Sequence, residues 1–231
     1  MNSSTQPTTF RYLDVVASFF VGILIVSNIA SSAKIVDLGF SIFSIPLMFD
    51  GGTLLFPLVY VLGDVLTEVY GFKTARRVIW TGFIVMALTA GVFLLLKILP
   101  PEGYWEAEVG SQAYNAILDG MSSGGIVLAS LSAYLVGELS NALILSKIKV
   151  KMKGKMLWVR TIGSSLVGEF LDTFIFVLIA TVTGVFMWEI FWSLIITNYI
   201  IKCCIEAGMT PFTYWVTRFL KRKEGVDVYD I

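Results

Sequence analysis

Six long apolar runs dominate this chain, and they leave it one environment to fold in. They cover residues 12–31, 52–70, 78–98, 124–146, 164–187 and 190–218. Each holds about the 20 residues that a helix needs to cross the hydrocarbon of a bilayer. Their apolar residues run all round rather than alternating over ten-residue segments, which argues against a transmembrane barrel. The composition agrees: 56% of the 231 residues are hydrophobic and only 15% are charged. The sequence therefore predicts an all-α, polytopic helix bundle of six transmembrane helices in the lipid bilayer. Residues 1–11 read as a flexible N-terminus and 219–231 as a basic tail, and the chain as one domain. The longest loop, about 25 residues, is too short for a soluble domain. The first run is about twenty residues long and lacks a small-residue cleavage site, so it stays as a helix rather than a removed leader.

Charge sets the expected orientation. Lys73, Arg76 and Arg77 lie in the 71–77 loop. Lys147, Lys149, Lys151, Lys153, Lys155 and Arg160 lie in 147–160, and Arg218, Lys221, Arg222 and Lys223 in the tail. The 99–123 loop carries Glu102, Glu106, Glu108 and Asp119 with no Lys or Arg. Basic loops stay in the cytoplasm, so both termini are expected there. The run KIKVKMKGK could mark a nucleic-acid patch, but topology and anionic lipid explain it more simply. No nucleic-acid partner is expected. Trp80, Trp105, Trp158, Trp188 and Trp192 sit near run ends, as interfacial residues do.

Inside the runs lie groups that a bilayer penalises. Asn28 is in the first and Asp64 and Glu68 in the second. Glu138 and Asn141 are in the fourth, Glu169 and Asp172 in the fifth, Asn198, Lys202 and Glu206 in the sixth. A charge at mid-bilayer costs about 2.5–3.5 kcal/mol, so seven of them facing lipid would cost roughly 20 kcal/mol. They must face one another or a wet cavity. Spacings of three and four put each set on one helix face. At ~1.5 Å per residue, Asp64, Glu138, Asp172 and Lys202 fall within about 5 Å of the midplane. Polar groups from four helices at one depth are the layout of a transporter's central solute site. Asp172 with Lys202 also reads as a structural interhelical ion pair. Glu68, near the cytoplasmic end, is either solvated there or paired with Arg76 or Arg77. Asp64 and Glu68 are the candidates for gating or for coupling to an ion, proton or sodium.

YLVGELSNALIL (134–145) and SLVGEFLDTFIF (165–176) align without gaps, matching Gly137 with Gly168, Glu138 with Glu169 and Asn141 with Asp172. Glycine lets helices approach closely, so these two runs are expected to pack antiparallel as a quasi-symmetric pair. With no His, no metal cluster and no nucleophile beside a base, the sequence points away from an enzyme, and no cofactor is expected. Cys203 and Cys204 are adjacent on one helix and read as packing residues.

The chain resembles the queuosine precursor transporter family, also called the vitamin uptake transporter family. The resemblance rests on Ser27–Asn28, Phe56–Pro57, DVLTEVYG and Ala75–Arg77. It continues through WVRTIGSSLVGEFLDTFIF, NYIIK and Pro211. It implies import of a deazapurine: 7-cyano-7-deazaguanine, 7-aminomethyl-7-deazaguanine or queuine. A carboxylate can accept the two adjacent N–H donors of a guanine-like edge at once. Glu138, Glu169 or Asp172 would do this, with Asn28, Asn141, Asn198, Asp64 and Lys202 completing the site. A homodimer is an admissible assembly. A rival reading is the membrane solute-binding subunit of an ATP-driven uptake complex, whose ATPase would be another chain.

Overall fold

The computed structural model describes residues 10–42 and 45–231. Among these, α1 spans Leu13–Ala33. A β-hairpin follows, β1 Ile35–Ile42 and β2 Ile45–Asp50, and then a 3₁₀ turn, Gly51–Leu54. The remaining helices are α2 Phe56–Tyr70, α3 Phe72–Ile98, α4 Gly103–Glu108, α5 Gly110–Ser122, α6 Gly124–Lys151, α7 Leu157–Val182 and α8 Phe191–Glu224. The helical class thus holds, with one hairpin added. Its strands pair antiparallel from Ile35 opposite Asp50 to Ile42 opposite Ile45, with a register shift between Asp37 and Ser41.

Among the described residues, four segments are long and apolar enough to cross a membrane: Leu13–Ser31, Phe72–Ile98, Gly110–Lys151 and Leu157–Val182. They answer to the first, third, fourth and fifth expected runs. The second run resolves into α2, whose 15 residues extend only about 22 Å. That is less than the ~30 Å of a typical hydrocarbon core. The sixth resolves into α8, which has length to spare at 34 residues but carries Lys202 and Glu206 in its apolar half and Pro211 inside. The 99–123 loop is not irregular: it holds α4 and α5, and α5 packs on α1 and α3. Glu102 starts α4 by accepting from the backbone N–H of Tyr104 and Trp105 at 2.9 and 2.8 Å. Those two bonds hold its carboxyl below its ordinary pKa.

Single residues set the sharp features. Pro57 sits in the first turn of α2, where its missing N–H costs nothing. Gly71 alone joins α2 to α3, at φ +86°, a conformation that a side chain resists. Phe20, Leu24, Val65, Leu66 and Ile79, from α1, α2 and α3, form the centre of the apolar core. Phe19, Ile84, Leu88, Leu95 and Ile98 face outward, as lipid-facing residues of a membrane protein do. The five tryptophans expected at run ends are all exposed as well.

Since lipid is as apolar as a leucine side chain, helices here associate through close packing. The α6–α7 contact shows how. A Cβ on Gly137 would lie 2.7 Å from Asp172 Cβ and 3.1 Å from the Gly168 carbonyl oxygen. One on Gly168 would lie 2.7 Å from Asn141 Cβ and 3.0 Å from the Gly137 carbonyl oxygen. The contact is reciprocal and antiparallel, with each glycine seated against the residue four places beyond the other. This is the quasi-symmetric pair that the internal echo predicts.

Both described ends of the chain lie together. The backbone N–H groups of Arg11 and Tyr12 donate to Glu224 at 2.8 and 2.6 Å, and Phe10 packs edge-on against Tyr70. The three basic segments share this end of the bundle: Lys149 and Arg160 of one and Lys221 of another meet Glu68, and the backbone of Phe72 and Lys73 in the third meets Asp230 of the tail. The charge segregation read along the sequence is therefore a segregation in space.

Candidate functional site

Four helices, α2, α6, α7 and α8, bring polar side chains to one level. Asp64, 2% exposed, projects from α2 and accepts a hydrogen bond from the Asn141 amide of α6 at 2.9 Å. The Asn141 amide oxygen accepts in turn from the Ser165 hydroxyl of α7 at 3.4 Å. A polar chain thus ties three helices, and it exists because Gly168 lets α7 lie directly on Asn141.

Glu138 lies one turn before Asn141 and is buried against α2. Its Oε2 is 2.8 Å from where a Cβ on Gly63 would stand. That oxygen has no hydrogen-bond partner among the described residues. Across the bundle, Lys202 of α8 meets Asp172 of α7 at 2.5 Å, and its ammonium stands 5.8 Å from the ring centroid of Phe56 at the start of α2. The predicted pair is present and only partly shielded: the two side chains are 24% and 17% exposed.

Between α7 and α8, Ser165, Glu169, Cys203 and Glu206 line a small recess. Glu169 and Glu206 are buried and hydrogen-bonded to each other, Glu169 also reaching Cys203 and Glu206 reaching Ser165, and each has an Oε2 without a hydrogen-bond partner among the described residues. Tyr60 of α2 is buried within electrostatic range of Asp172, Glu138, Glu169 and Glu206. Five acids (Asp64, Glu138, Glu169, Asp172 and Glu206) therefore share this level with Lys202. Buried polar groups are ordinarily bonded. Three carboxyl oxygens of this layer, on Glu138, Glu169 and Glu206, thus lack a donor among the described residues.

Other expected site residues fall elsewhere. Asn28 is half-buried on α1 and turns back to donate to its own Leu24 carbonyl at 2.8 Å. Asn198 is half-buried one turn before Lys202. Glu68 is fully buried, but it is neither solvated nor paired with Arg76 or Arg77. Both those arginines are exposed, and Arg76 lies over the Phe72 ring. The partners of Glu68 are Arg160 at 2.7 Å and Lys221 at 2.6 Å, with Lys149 at 4.0 Å. Lys149 also donates to the Glu68 backbone carbonyl at 2.6 Å. Two cations read as loop charges facing lipid, Lys149 and Arg160, are each only 1% exposed.

Ser165 joins the candidate site although the sequence did not single it out, and with it come Tyr60 and Glu206, the latter marked from spacing as an intramembrane acid but not assigned to substrate. Ser165 precedes Glu169 by four residues, and Glu206 follows Lys202 by four. Both therefore lie on stripes already marked as polar.

A family model described as "Putative vitamin uptake transporter" matches residues 50–216. A protein of Bacillus subtilis (strain 168) named "Probable queuosine precursor transporter" is 24% identical over 174 residues, covering 75% of this chain and 73% of the relative. One of the same name from Haemophilus influenzae (strain ATCC 51907 / DSM 11121 / KW20 / Rd) is 27% identical over 129 residues, covering 56% of this chain and 50% of the relative. No solved structure matches. The family match runs from the start of α2 into α8 and takes in all five acids of the central level and Lys202. The chain is a multi-pass membrane transporter and belongs to the vitamin uptake transporter family.

Proposed function

We propose that this transporter imports a deazaguanine precursor of queuosine across a prokaryotic plasma membrane, through the level where α2, α6, α7 and α8 meet. In this reading six segments traverse the bilayer and both termini face the cytoplasm. The substrate comes from the names of the two relatives. The observation that carries the site is the gathering of five acids around one cation, Lys202, with an oxygen on each of Glu138, Glu169 and Glu206 that has no partner among the described residues. A guanine-like edge presents a ring N–H beside an exocyclic NH₂, and one carboxylate accepts both as charge-assisted bonds. Asp172 is engaged by Lys202, so Glu138 and Glu169 are the better candidates for that edge. Asn141 serves amide or carbonyl groups. Phe56 and Tyr60 offer aromatic surface for a planar ring. The acidic excess suits the cationic amine of the aminomethyl base and of queuine. Asp64, held by Asn141, is the candidate for carrying a coupling proton.

The test is uptake of labelled 7-cyano-7-deazaguanine, 7-aminomethyl-7-deazaguanine and queuine by the purified protein in liposomes. Glu138→Gln and Glu169→Gln keep the size of the side chain but replace one acceptor oxygen by a donor. Each is expected to cut uptake by about 10–100-fold, since a mispaired buried polar group costs about 1–3 kcal/mol. Thermal stability in detergent should be unchanged. Absence of uptake of all three bases by the parent protein would sink the substrate assignment. Full activity in both variants would sink the site.

A further inference from the structure

Residues 225–231 leave α8 at Gly225, whose φ of +67° turns the chain, and they fold back over the end of the bundle where the termini meet. The segment is read from sequence as part of a basic tail, yet the basic residues stop at Lys223, and beyond α8 come Asp227 and Asp230. Asp227 is 2.6 Å from Lys149 of α6 and 2.8 Å from Lys221 of α8. The Val228 N–H donates to the Val69 carbonyl of α2 at 3.3 Å, and its carbonyl accepts from Lys149 at 2.6 Å. The Asp230 carboxylate accepts from the Phe72 N–H at 2.5 Å and the Lys73 N–H at 3.2 Å, so it caps α3, whose own first turn has no acid. Ser146 of α6 donates to the Asp230 carbonyl. The Tyr229 ring lies 4.4 Å from the Lys149 ammonium, and its hydroxyl packs on Gly154 in the α6–α7 turn.

Seven residues thus bridge α2, α3, α6, α8 and the α6–α7 turn. Three of these helices, α2, α6 and α8, also carry the acid-lined level. A solute leaving that level toward this end must part helices that the segment ties together. The ties are of a reversible kind. Asp227 is 38% exposed on its side chain and Lys221 23%, and an ion pair open to water is weak. Undocking leaves Glu68 with Arg160 at 2.7 Å and Lys221 at 2.6 Å, and leaves Lys149 on the Glu68 backbone carbonyl at 2.6 Å. Segments held by few buried contacts open locally at far lower cost than the whole fold.

We propose that residues 225–231 are a latch that shuts the inner end of the transport path and must undock in each cycle for that end to open. This rests on the transport reading above. A lock-and-release experiment separates the two. Ser146→Cys with Asp230→Cys is reconstituted in liposomes, the 146–230 disulfide is formed with an added oxidant, and the crosslinked peptide is verified by mass spectrometry. Deazaguanine uptake should be lost on oxidation and restored by reductant. Full uptake by the locked protein overturns the latch and leaves the transport reading standing. A readout without substrate is amide hydrogen exchange at Phe72 and Lys73 in the unaltered protein. Exchange by local opening, faster than that of core amides of α2, supports the latch even where no deazaguanine is carried. Exchange only with the α2 core overturns it. The milder variant Asp227→Asn, which keeps the chain intact, should speed exchange at both amides, and unchanged exchange there counts against the latch.

Discussion

Two sets of buried acids in this molecule have opposite surroundings. At the end where the termini meet, the inner end in the proposed orientation, Glu68 is fully buried and has Arg160 and Lys221 within 2.7 Å of one oxygen, with Lys149 at 4.0 Å. At the central level, Glu138, Glu169 and Glu206 are almost as buried, and each, like Glu68, has one oxygen without a partner among the described residues, but the cation of that level, Lys202, is paired with Asp172 instead. Residue type and burial are the same, so the difference lies in the company each keeps. A buried charge surrounded by counter-charges joins helices, and three or four elements meet on Glu68. Buried acids short of counter-charge tie helices only through hydrogen bonds, as Asp64 does with Asn141 and Glu169 with Glu206. They are costly in a low-dielectric wall unless a proton, a cation or a ligand's donors complete them. The first arrangement holds a fold, and the second is the one proposed above to receive the solute.

The sharpest way to break this comparison is to remove a counter-charge from the satisfied set. Arg160→Ala leaves Glu68 buried with Lys221, whose side chain is 23% exposed, and with a more distant Lys149. Removing one member of a buried pair costs about 3–5 kcal/mol. The expected outcome is a protein that loses most of its thermal stability in detergent, followed by size-exclusion chromatography after heating. If Arg160→Ala melts like the parent while uptake collapses, Glu68 belongs with the functional acids and the distinction fails.

A smaller effect tests what positions the unsatisfied set. Gly168→Ala would put a Cβ 2.7 Å from Asn141 Cβ and 3.0 Å from the Gly137 carbonyl, both near or on backbone. Relief requires α6 and α7 to separate, and overpacking of this kind costs about 1–3 kcal/mol. Separation also draws Ser165 and Asn141 apart, although they are already at 3.4 Å. The expected result is a moderate drop in melting temperature with a larger drop in uptake. Gly163→Ala on the same helix, where a Cβ would meet only Ile148 at 3.8 Å, should change neither.

How far the sequence disclosed these two regions follows from what each depends on. The central level was legible because its signal is local. Spacings of three and four fix a shared face, and the repeated Gly-Glu start of 137 and 168 fixes the close contact. The level of Lys202 against Asp172 followed from counting along helices. The inner end was not legible, because its partners are distant in the chain. Glu68 lies eight residues from Arg76 but binds Arg160 and Lys221, 92 and 153 residues away. Arg160 and Lys149 sit in a stretch whose other lysines, at 147, 151, 153 and 155, are exposed, so composition hid two buried cations among solvated ones. The short length of α2 was hidden too. Its apolar run begins at 52, but Gly51–Leu54 is a 3₁₀ turn lodged against α1, where Gly51 and Gly52 admit no side chain beside Ala30 and Ser27.

The smallest expected effect concerns pH, and it sharpens the comparison because it assigns any proton response to one region. Burial pushes the Asp227 carboxyl up, but hydrogen bonds from Lys149 and Lys221 outweigh it and hold the group below its ordinary value of 3.8. Glu224 behaves alike: burial raises it, and the Arg11 and Tyr12 N–H groups with the Tyr70 hydroxyl bring it below 4.5. A carboxyl depressed in the fold stabilises the docked state fully above its ordinary pKa and loses that contribution only as pH falls through the lower, folded value. Both groups therefore stay ionised from about pH 8 down to about pH 5. The docked tail and the α1–α8 junction should not loosen across that range. The check is amide exchange at Phe72, Lys73, Arg11 and Tyr12, corrected for the intrinsic pH dependence of exchange, at about pH 6 and about pH 8. Equal protection at both is the expected result. Uptake that nevertheless changes across the same interval must then titrate at the central level, where the acids outnumber their counter-charge. Protection that falls in step with uptake would instead move the proton-sensitive element to the inner end and reverse the roles given to the two sets of acids.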